Sequence, residues 1–152
     1  MQQIEFIIKE IGGIIAIAAF IISIVKIRQD LHNKFFQEYT KRYSDIMLKL
    51  PFDIHFVEYE FKKLDKAESE ILKYIGAYFD LCSEEYHLFL KKKINKKVWN
   101  EWKTGISNNF SKKSFINAWI VIKDKNYTSY YPDFTKLVEN DLLKNKPSTL
   151  EE

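Results

Sequence analysis

The most apolar part of the chain is the stretch IGGIIAIAAFIISIV, which runs from Ile11 to Val25 without a charged residue. A membrane-spanning helix needs about 20 mostly apolar residues. The stretch from Ile11 to Val25 is shorter and, as a helix, covers only ~22 Å at about 1.5 Å per residue. Apolar residues continue on both sides, so a span from about Ile7 to Ile27 has the required length and carries its charges near the ends. The pattern therefore predicts a transmembrane helix.

Two other interpretations fit this stretch less well. A soluble core helix normally carries a polar face, but the only polar residue here is Ser23. A cleaved secretory signal has a small-x-small site after its apolar run, and the residues that follow, KIRQDLHNKFF, offer none. We therefore expect residues 1–28 to be a membrane anchor.

Small residues recur along the predicted span at positions i, i+4, i+7 and i+11, which places them in one ridge: Gly12, Ala16, Ala19 and Ser23. Small side chains let two membrane helices approach closely. The ridge therefore suggests a homo-oligomer that forms through the transmembrane helix. Gly and Ala are also common in such spans, so the same stripe fits a monomer.

The remainder of the chain has helical periodicity. Apolar residues recur at helical spacing from Leu31 to Leu50, and Pro51 ends this pattern. Residues 52–64 combine strand-like and helix-like spacing, and a short helix is favoured because a lone strand would have no partner. Asp65 is expected to cap a long helix that runs to about Lys92.

Three more helices are expected downstream of this long one. Asn95 is placed to cap the first, the stretch KKSFINAWIVIKD forms the second, and the third begins near Pro132. Short connections between helices favour an antiparallel bundle. The predicted fold is therefore all-α, with a helical domain over residues 29–143 and a disordered tail over 144–152.

Charge gives the expected orientation of the span. Cations cluster after it, beginning with Lys26, Arg28 and Lys34, whereas only Lys9 precedes it. The positive-inside rule then places the N-terminus outside and the C-terminal domain in the cytoplasm. The lone cysteine, Cys82, fits a reducing compartment.

Glu84 and His87 form a Glu-x-x-His pair, the spacing that places two metal ligands on one helix face in di-iron bundles. Such a site requires a second pair, and neither His32 nor His55 has a glutamate three residues before it. The pair also belongs to a polar stripe along the long helix, which predicts that both side chains face solvent. We expect no metal and no cofactor.

Glu85 lies on the opposite face of this helix, among residues such as Ile75, Tyr78 and Cys82. A carboxylate in apolar surroundings is costly unless it is paired or hydrogen-bonded. Glu85 is therefore expected to be buried with a hydrogen-bond partner, such as a Trp indole, a Tyr hydroxyl or Arg42. A catalytic acid is the alternative, but no nucleophile or base is identifiable beside it, so no enzyme is expected.

Five lysines crowd the stretch KKKINKK: Lys91, Lys92, Lys93, Lys96 and Lys97. Lysines at the C-terminal end of a helix interact favourably with its dipole. They are also placed to contact anionic lipid headgroups. Nucleic-acid binding is the least favoured of the three, because no arginine for base readout and no recognition motif accompanies them. The chain has 24 Lys and Arg residues in total, almost all of them lysine, which is a compositional bias and reduces the weight of any one cluster.

The segments YFDLCSEEYHL, KKKINKKVWNEW and FINAW, together with the anchor, resemble a group of small uncharacterised bacterial membrane-anchored helical proteins. The resemblance covers about Tyr78 to Trp119 and implies no activity. It departs at Lys93, where a glycine is expected, which puts the geometry of that turn in doubt.

These features predict a membrane-anchored cytoplasmic helical domain that acts as an interaction or scaffolding module for an unknown protein partner. The alternative is an oligomerising effector that perturbs the lipid bilayer through its transmembrane helix.

Overall fold

The computed structural model of the chain describes residues 2–56, 58–59, 61, 65–124 and 132–144. Every regular element in this part of the chain is helical, which confirms the all-α fold class. The described residues form five α-helices: α1 (Gln2–Met47), α2 (Lys66–Leu90), α3 (Lys96–Phe110), α4 (Lys113–Asp124) and α5 (Pro132–Leu137). A 3-10 turn, Phe52–His55, follows α1, and a π-helical turn, Val138–Leu142, follows α5.

Internal contacts divide the chain into two units, Met1–Gln37 and Glu38–Glu152. We call them the N-terminal unit and the helical unit, and the boundary falls within α1. Among the described residues, α1 is the helix that is long and apolar enough to span a membrane, and none of its most apolar window is buried by protein. A buried soluble core helix would show the opposite.

Two of the predicted caps begin helices of the helical unit. The side chain of Asp65 accepts a hydrogen bond from the backbone N–H of Glu68 at 2.8 Å, and α2 begins at the next residue. Asn95 accepts from the N–H of Val98 at 2.9 Å and begins α3 in the same way. These side chains satisfy N–H groups that the first turn of a helix leaves without partners. Both caps and the helices they start were predicted correctly.

The core of the helical unit is aromatic and centres on α2, which packs against α3, α4 and α5. Phe79 of α2 is fully buried and stacks on Phe110 of α3, with ring centroids 5.0 Å apart. It also meets Trp119 of α4 edge-on at 5.4 Å, and Trp119 in turn meets Phe134 of α5 at 5.9 Å. Edge-on and stacked pairs of this kind add to the free energy of apolar burial. The antiparallel order of these helices stays a prediction.

The short helix expected over residues 52–64 is shorter in the structure. The 3-10 turn ends at His55, and residues 58, 59 and 61 are not helical. Phe61 instead adopts a left-handed backbone, with a φ of 51°, and buries its ring to 1% exposure. An isolated helix this short gains little from its own hydrogen bonds, so the burial of single side chains such as Phe61 and Ile54 decides its conformation.

Candidate functional site

A cavity of about 220 Å³ opens within the helical unit, between the last turns of α1, the middle of α2 and α3. Four aromatic side chains account for much of its wall: Tyr39, Tyr43, Tyr78 and Trp102. Glu85 and Glu101 supply carboxyl groups to it. The combination of aromatic walls with acidic groups is the most distinctive chemistry in the described part of the chain.

Helical spacing explains how these side chains meet. Tyr39 and Tyr43 are four residues apart on α1, and Tyr78 and Glu85 are seven residues apart on α2, so each pair shares one face of its helix. The rings of Tyr39 and Trp102 lie 5.4 Å apart, and those of Tyr43 and Tyr78 lie 6.0 Å apart. The wall therefore consists of two aromatic pairs, each of which joins two helices.

Gly105 lines the cavity from α3 and is itself exposed. A Cβ atom added at Gly105 would meet nothing within 4 Å beyond the helix's own neighbouring backbone. Glycine inside a helix costs roughly 1 kcal/mol relative to alanine. A side chain at position 105 would therefore meet no steric obstacle at its Cβ, at a position that borders the cavity.

Glu85 is 6% exposed at this cavity. Among the described residues its carboxyl group has no hydrogen bond, so the predicted partner is not there, and Arg42 pairs with the neighbouring Glu84 instead. Burial away from water raises the pKa of Glu85 to about 8; the positive charge of Arg42 opposes this shift and the negative charge of Glu84 adds to it. At neutral pH the group is mostly the protonated acid.

The prediction that Glu84 faces solvent is wrong. Its side chain is 39% exposed and forms a two-pronged ion pair with Arg42, with N–O distances of 2.6 and 3.1 Å. The Tyr39 hydroxyl donates a third hydrogen bond to it at 3.1 Å. The hydrogen bonds from Arg42 hold the pKa of Glu84 below its usual value. His87 is also half-buried rather than exposed.

This ion pair also shapes the aromatic wall. The Arg42 guanidinium lies 5.1 Å from the centre of the Tyr39 ring. Burial, together with the charge of Glu84 and the hydrogen bond to it, raises the pKa of Tyr39 to about 12, so the hydroxyl stays a donor. Arg42 and Glu84 neutralise each other. The cavity is therefore left with two carboxyl groups, those of Glu85 and Glu101, that have no basic partner among its lining residues.

A small polar cluster lies beside Glu85 in the core. The Tyr78 hydroxyl is hydrogen-bonded to the side chains of Cys82 and Asn109, and all three residues are buried. Burial raises the pKa of the Cys82 thiol well above its usual value, and the nearby Glu85 raises it further. A thiol with a raised pKa is a poor nucleophile, so Cys82 serves packing.

The lysine cluster surrounds the end of α2, and its five side chains are exposed: Lys91, Lys92, Lys93, Lys96 and Lys97. Lys92 has a left-handed backbone with a φ of 56°. The N–H groups of Lys92 and Lys93 donate to the carbonyls of Phe89 and Leu88, both at 2.9 Å. This is a Schellman ending, which usually carries glycine at the left-handed position. The left-handed residue is Lys92, one position before the place where the resemblance suggests glycine.

The ridge of small residues lies in the exposed part of α1. Gly12, Ala16, Ala19 and Ser23 are all exposed, and a Cβ atom at Gly12 would meet nothing within 4 Å apart from the helix's own backbone. The Ser23 hydroxyl donates to the carbonyl of Ala19 at 2.8 Å, which satisfies it within its own helix. Association through this ridge stays a prediction.

No cluster of His, Cys, Asp or Glu in the described ranges has the arrangement of a metal site. Comparisons of the chain with family models, curated proteins and solved structures return no match. The functional argument therefore rests on the cavity and on α1.

The residues that sequence reasoning missed are the aromatic wall and Gly105. The four aromatic residues come from three helices, and no local pattern links them. A glycine inside the periodic pattern of α3 was the one available signal, since glycine inside a helix often has a packing or functional reason.

Proposed function

We propose that this protein is a single-pass membrane protein whose helical unit is an interaction module that binds a partner protein on the cytoplasmic side. The exposed apolar window of α1 supports the membrane anchor, and the excess of cations after that window supports the orientation. The cavity at Glu85 carries the binding role. A preformed apolar site with a few polar groups is typical of binding sites.

The acidic group in the cavity strengthens the case for binding. Burying a carboxyl group without a hydrogen bond costs free energy, and Glu85 has no hydrogen bond to a described residue where it lines the cavity. A partner that supplied a donor or a cation would offset this cost. The cavity lacks a nucleophile next to a base, which makes binding a better interpretation than catalysis.

Topology is tested with paired reporters. Alkaline phosphatase, which is active only outside the cytoplasm, is fused after Glu152, and green fluorescent protein is fused there in a parallel strain. The proposal expects inactive phosphatase and a fluorescent protein that sediments with membranes. An active phosphatase would reverse the orientation. Fluorescence in the soluble fraction would show that the apolar window of α1 is not an anchor, or that it has been cleaved as a signal.

Binding through the cavity is tested by photocrosslinking in cells. A photoreactive phenylalanine replaces Glu101 at the cavity, and in a control strain it replaces Glu70, which is exposed on α2 away from the cavity. We expect an adduct with a distinct protein from position 101 and none from position 70. Adding Gly105→Leu, which fills the cavity, should remove the adduct. An adduct that survives Gly105→Leu, or that forms equally from both positions, would place the partner elsewhere.

A further inference from the structure

The chemistry of the cavity also indicates which group of the partner it receives. We propose that the cavity binds an alkylammonium group presented by the partner protein, such as the end of a lysine side chain, with Glu85 as its counter-ion and the rings of Tyr39, Tyr43 and Trp102 around its carbon chain. The inference rests on the proposed binding role, and it specifies the chemical class that this site recognises.

The aromatic wall is the first observation behind this proposal. Aromatic faces attract ammonium groups through their electron-rich π-systems, and sites with several rings are a known means of recognising alkylated ammonium ions. Four of the nine lining residues are Tyr or Trp, contributed by α1, α2 and α3. Arg42 lies 5.1 Å from the centre of the Tyr39 ring, so one ring of this wall already contacts a cation, although Arg42 does not itself line the cavity.

The buried acid is the second observation, and it is independent of the first. Glu85 is 6% exposed and has no hydrogen bond among the described residues, although it lines a cavity. An ammonium group entering the cavity would form a charge-assisted hydrogen bond with this carboxylate, which is stronger than a hydrogen bond between neutral groups. An anionic or neutral ligand would leave Glu85 unpaired and gain nothing from it.

Size and net charge restrict the ligand further. A volume of about 220 Å³ is smaller than the pockets of about 300–1,000 Å³ that hold drug-sized ligands, so one side-chain end fits better than a large molecule. The titratable groups around Glu85 come from three helices: Tyr39, Arg42 and Tyr43 from α1, Tyr78, Cys82 and Glu84 from α2, and Glu101 from α3. Arg42 and Glu84 neutralise each other, so the charge of Glu101, joined by that of Glu85 once it ionises, favours a cation.

Binding of an ammonium ligand should release the proton of the Glu85 carboxyl group. Glu85 has a pKa of about 8 in the empty cavity, so an ammonium ligand must bind as the acid ionises. Below that pKa, each lower pH unit makes ionisation about tenfold less favourable. We therefore expect the affinity for an ammonium probe to rise by up to about tenfold per pH unit from pH 6 towards pH 8 and then to level off.

The experiment uses the full-length chain in maltoside detergent, which carries no ammonium group. n-Butylammonium chloride and tetramethylammonium chloride are the probes, and n-butanol and tert-butanol are their neutral counterparts. Sodium chloride at matched concentration controls for ionic strength. Binding is followed by the NMR signal of the Trp102 indole N–H, which is assigned by its loss in Trp102→Phe.

We expect the ammonium probes to bind at least about tenfold more tightly than the alcohols. Glu85→Gln should weaken ammonium binding by about tenfold and remove its pH dependence, while leaving the affinity for the alcohols unchanged. Gly105→Leu should abolish binding of all four compounds without lowering the melting temperature, because it fills open space and replaces a helical glycine. Equal binding of alcohols and ammonium ions, or full ammonium affinity in Glu85→Gln, would overturn the proposal.

The titration with ammonium probes and the photocrosslinking experiment can fail independently of each other. If the ammonium probes do not bind but the adduct from position 101 still depends on an open cavity, the interaction module stands and its ligand class is wrong. If the probes bind but no cavity-dependent protein adduct forms, the site recognises ammonium and the protein partner is wrong. An adduct of lipid mass from position 101 would identify a headgroup amine as the source and would overturn the assignment to a partner protein.

Discussion

The two units of this protein differ in how they place most of their large apolar side chains, although Leu48, Phe52 and Phe56 of the helical unit are also exposed. In the N-terminal unit, Phe20 and Ile22 are each 67% exposed, whereas Phe79 and Leu81 of the helical unit are fully buried. Burying apolar surface contributes roughly 25 cal/mol per Å², so a chain does not leave a continuous isoleucine surface uncovered by its own core without another apolar phase to cover it. Lipid has that role in the proposed topology.

The two units also differ in the type of apolar side chain. The large apolar side chains exposed in the N-terminal unit are mainly isoleucine, which would make no specific contact with fluid hydrocarbon in the proposed topology. The core of the helical unit is rich in aromatic residues, and its rings meet at defined distances and angles, such as the 81° between Phe79 and Trp119. A core of shaped rings specifies one packing arrangement, whereas a lipid-facing surface needs only to be apolar.

The largest effect that tests this comparison is expected at Phe79. Phe79→Ala removes a ring buried against Phe110, Phe115 and Trp119 and should lower the free energy of unfolding by about 3–5 kcal/mol. Phe20→Ala deletes the same ring at an exposed position and should leave the stability of the helical unit unchanged. Denaturation in maltoside, followed by near-ultraviolet circular dichroism, measures both variants. A similar loss in both would mean that Phe20 also packs within the protein.

The next largest effect separates two isoleucines of similar exposure. Ile17 is 63% exposed in the N-terminal unit and Ile120 is 50% exposed on α4. Ile17→Lys should disfavour membrane insertion by about 2.5–3.5 kcal/mol, because a charge at the centre of a span is costly. Ile120→Lys should leave membrane association and stability unchanged. Fractionation of cell membranes measures the outcome, and equal sedimentation of Ile17→Lys and wild type would contradict the assignment of lipid as the covering phase.

A third effect contrasts the two adjacent glutamates of α2. The pKa of Glu85 rises from 4.5 to about 8 on folding, so the folded state retains a proton that the unfolded state has lost in that interval. The contribution of Glu85 to stability should therefore be fully present below about pH 4.5 and should fall by up to about 1.4 kcal/mol per pH unit from there until about pH 8.

Glu85→Gln should remove this decline and make the protein more stable than wild type above pH 8. Glu84→Gln is the matched control. The pKa of Glu84 is lowered by Arg42, so this group is itself ionised in both states over the same interval. Glu84→Gln should therefore keep a decline of stability with pH, but the decline should end at a lower pH, because the negative charge that adds to the pKa shift of Glu85 is gone and the charge of Arg42 is no longer neutralised. A flat wild-type profile between pH 5 and pH 8 would show that Glu85 is hydrated or paired in solution.

The smallest expected effect concerns the end of α2. Lys92 adopts a left-handed backbone with a φ of 56°, a conformation that glycine adopts without steric cost. Lys92→Gly should therefore stabilise the helical unit by about 0.5–1 kcal/mol. Lys93→Gly removes the same charge from a residue that is not left-handed, and should be neutral or slightly destabilising. Both are measured by thermal denaturation, and a reversed order would move the left-handed position to Lys93.

Local chemistry made part of this structure predictable. Asp65 and Asn95 were identified as caps from residue type and position, and the buried face of α4 with Phe115 and Trp119 follows from helical spacing. The same spacing places Glu85 on an apolar face. Each of these inferences depends on residues within a few turns of one another.

What could not be predicted depends on residues far apart in the chain. Arg42 and Glu84 are 42 residues apart, and nothing in the sequence indicates that the guanidinium selects Glu84 over Glu85. The polar stripe along α2 predicted exposure of Glu84 because the sequence does not show that Tyr39 and Arg42 of α1 contact it. The cavity is likewise a product of packing, since an empty space at Gly105 depends on what three helices leave unfilled.

The buried thiol of Cys82 makes the opening of the helical unit measurable without a probe engineered into the chain. Because Cys82 is the only cysteine of the chain and is fully buried, a thiol reagent can modify it only when the helical unit opens. Under conditions in which the reagent outpaces reclosing, the rate of modification equals the rate of opening; with slow reagent, it reports the fraction of molecules that are open. The unlabelled wild-type chain can thus report the lifetime of its own folded state, in detergent or in a native membrane.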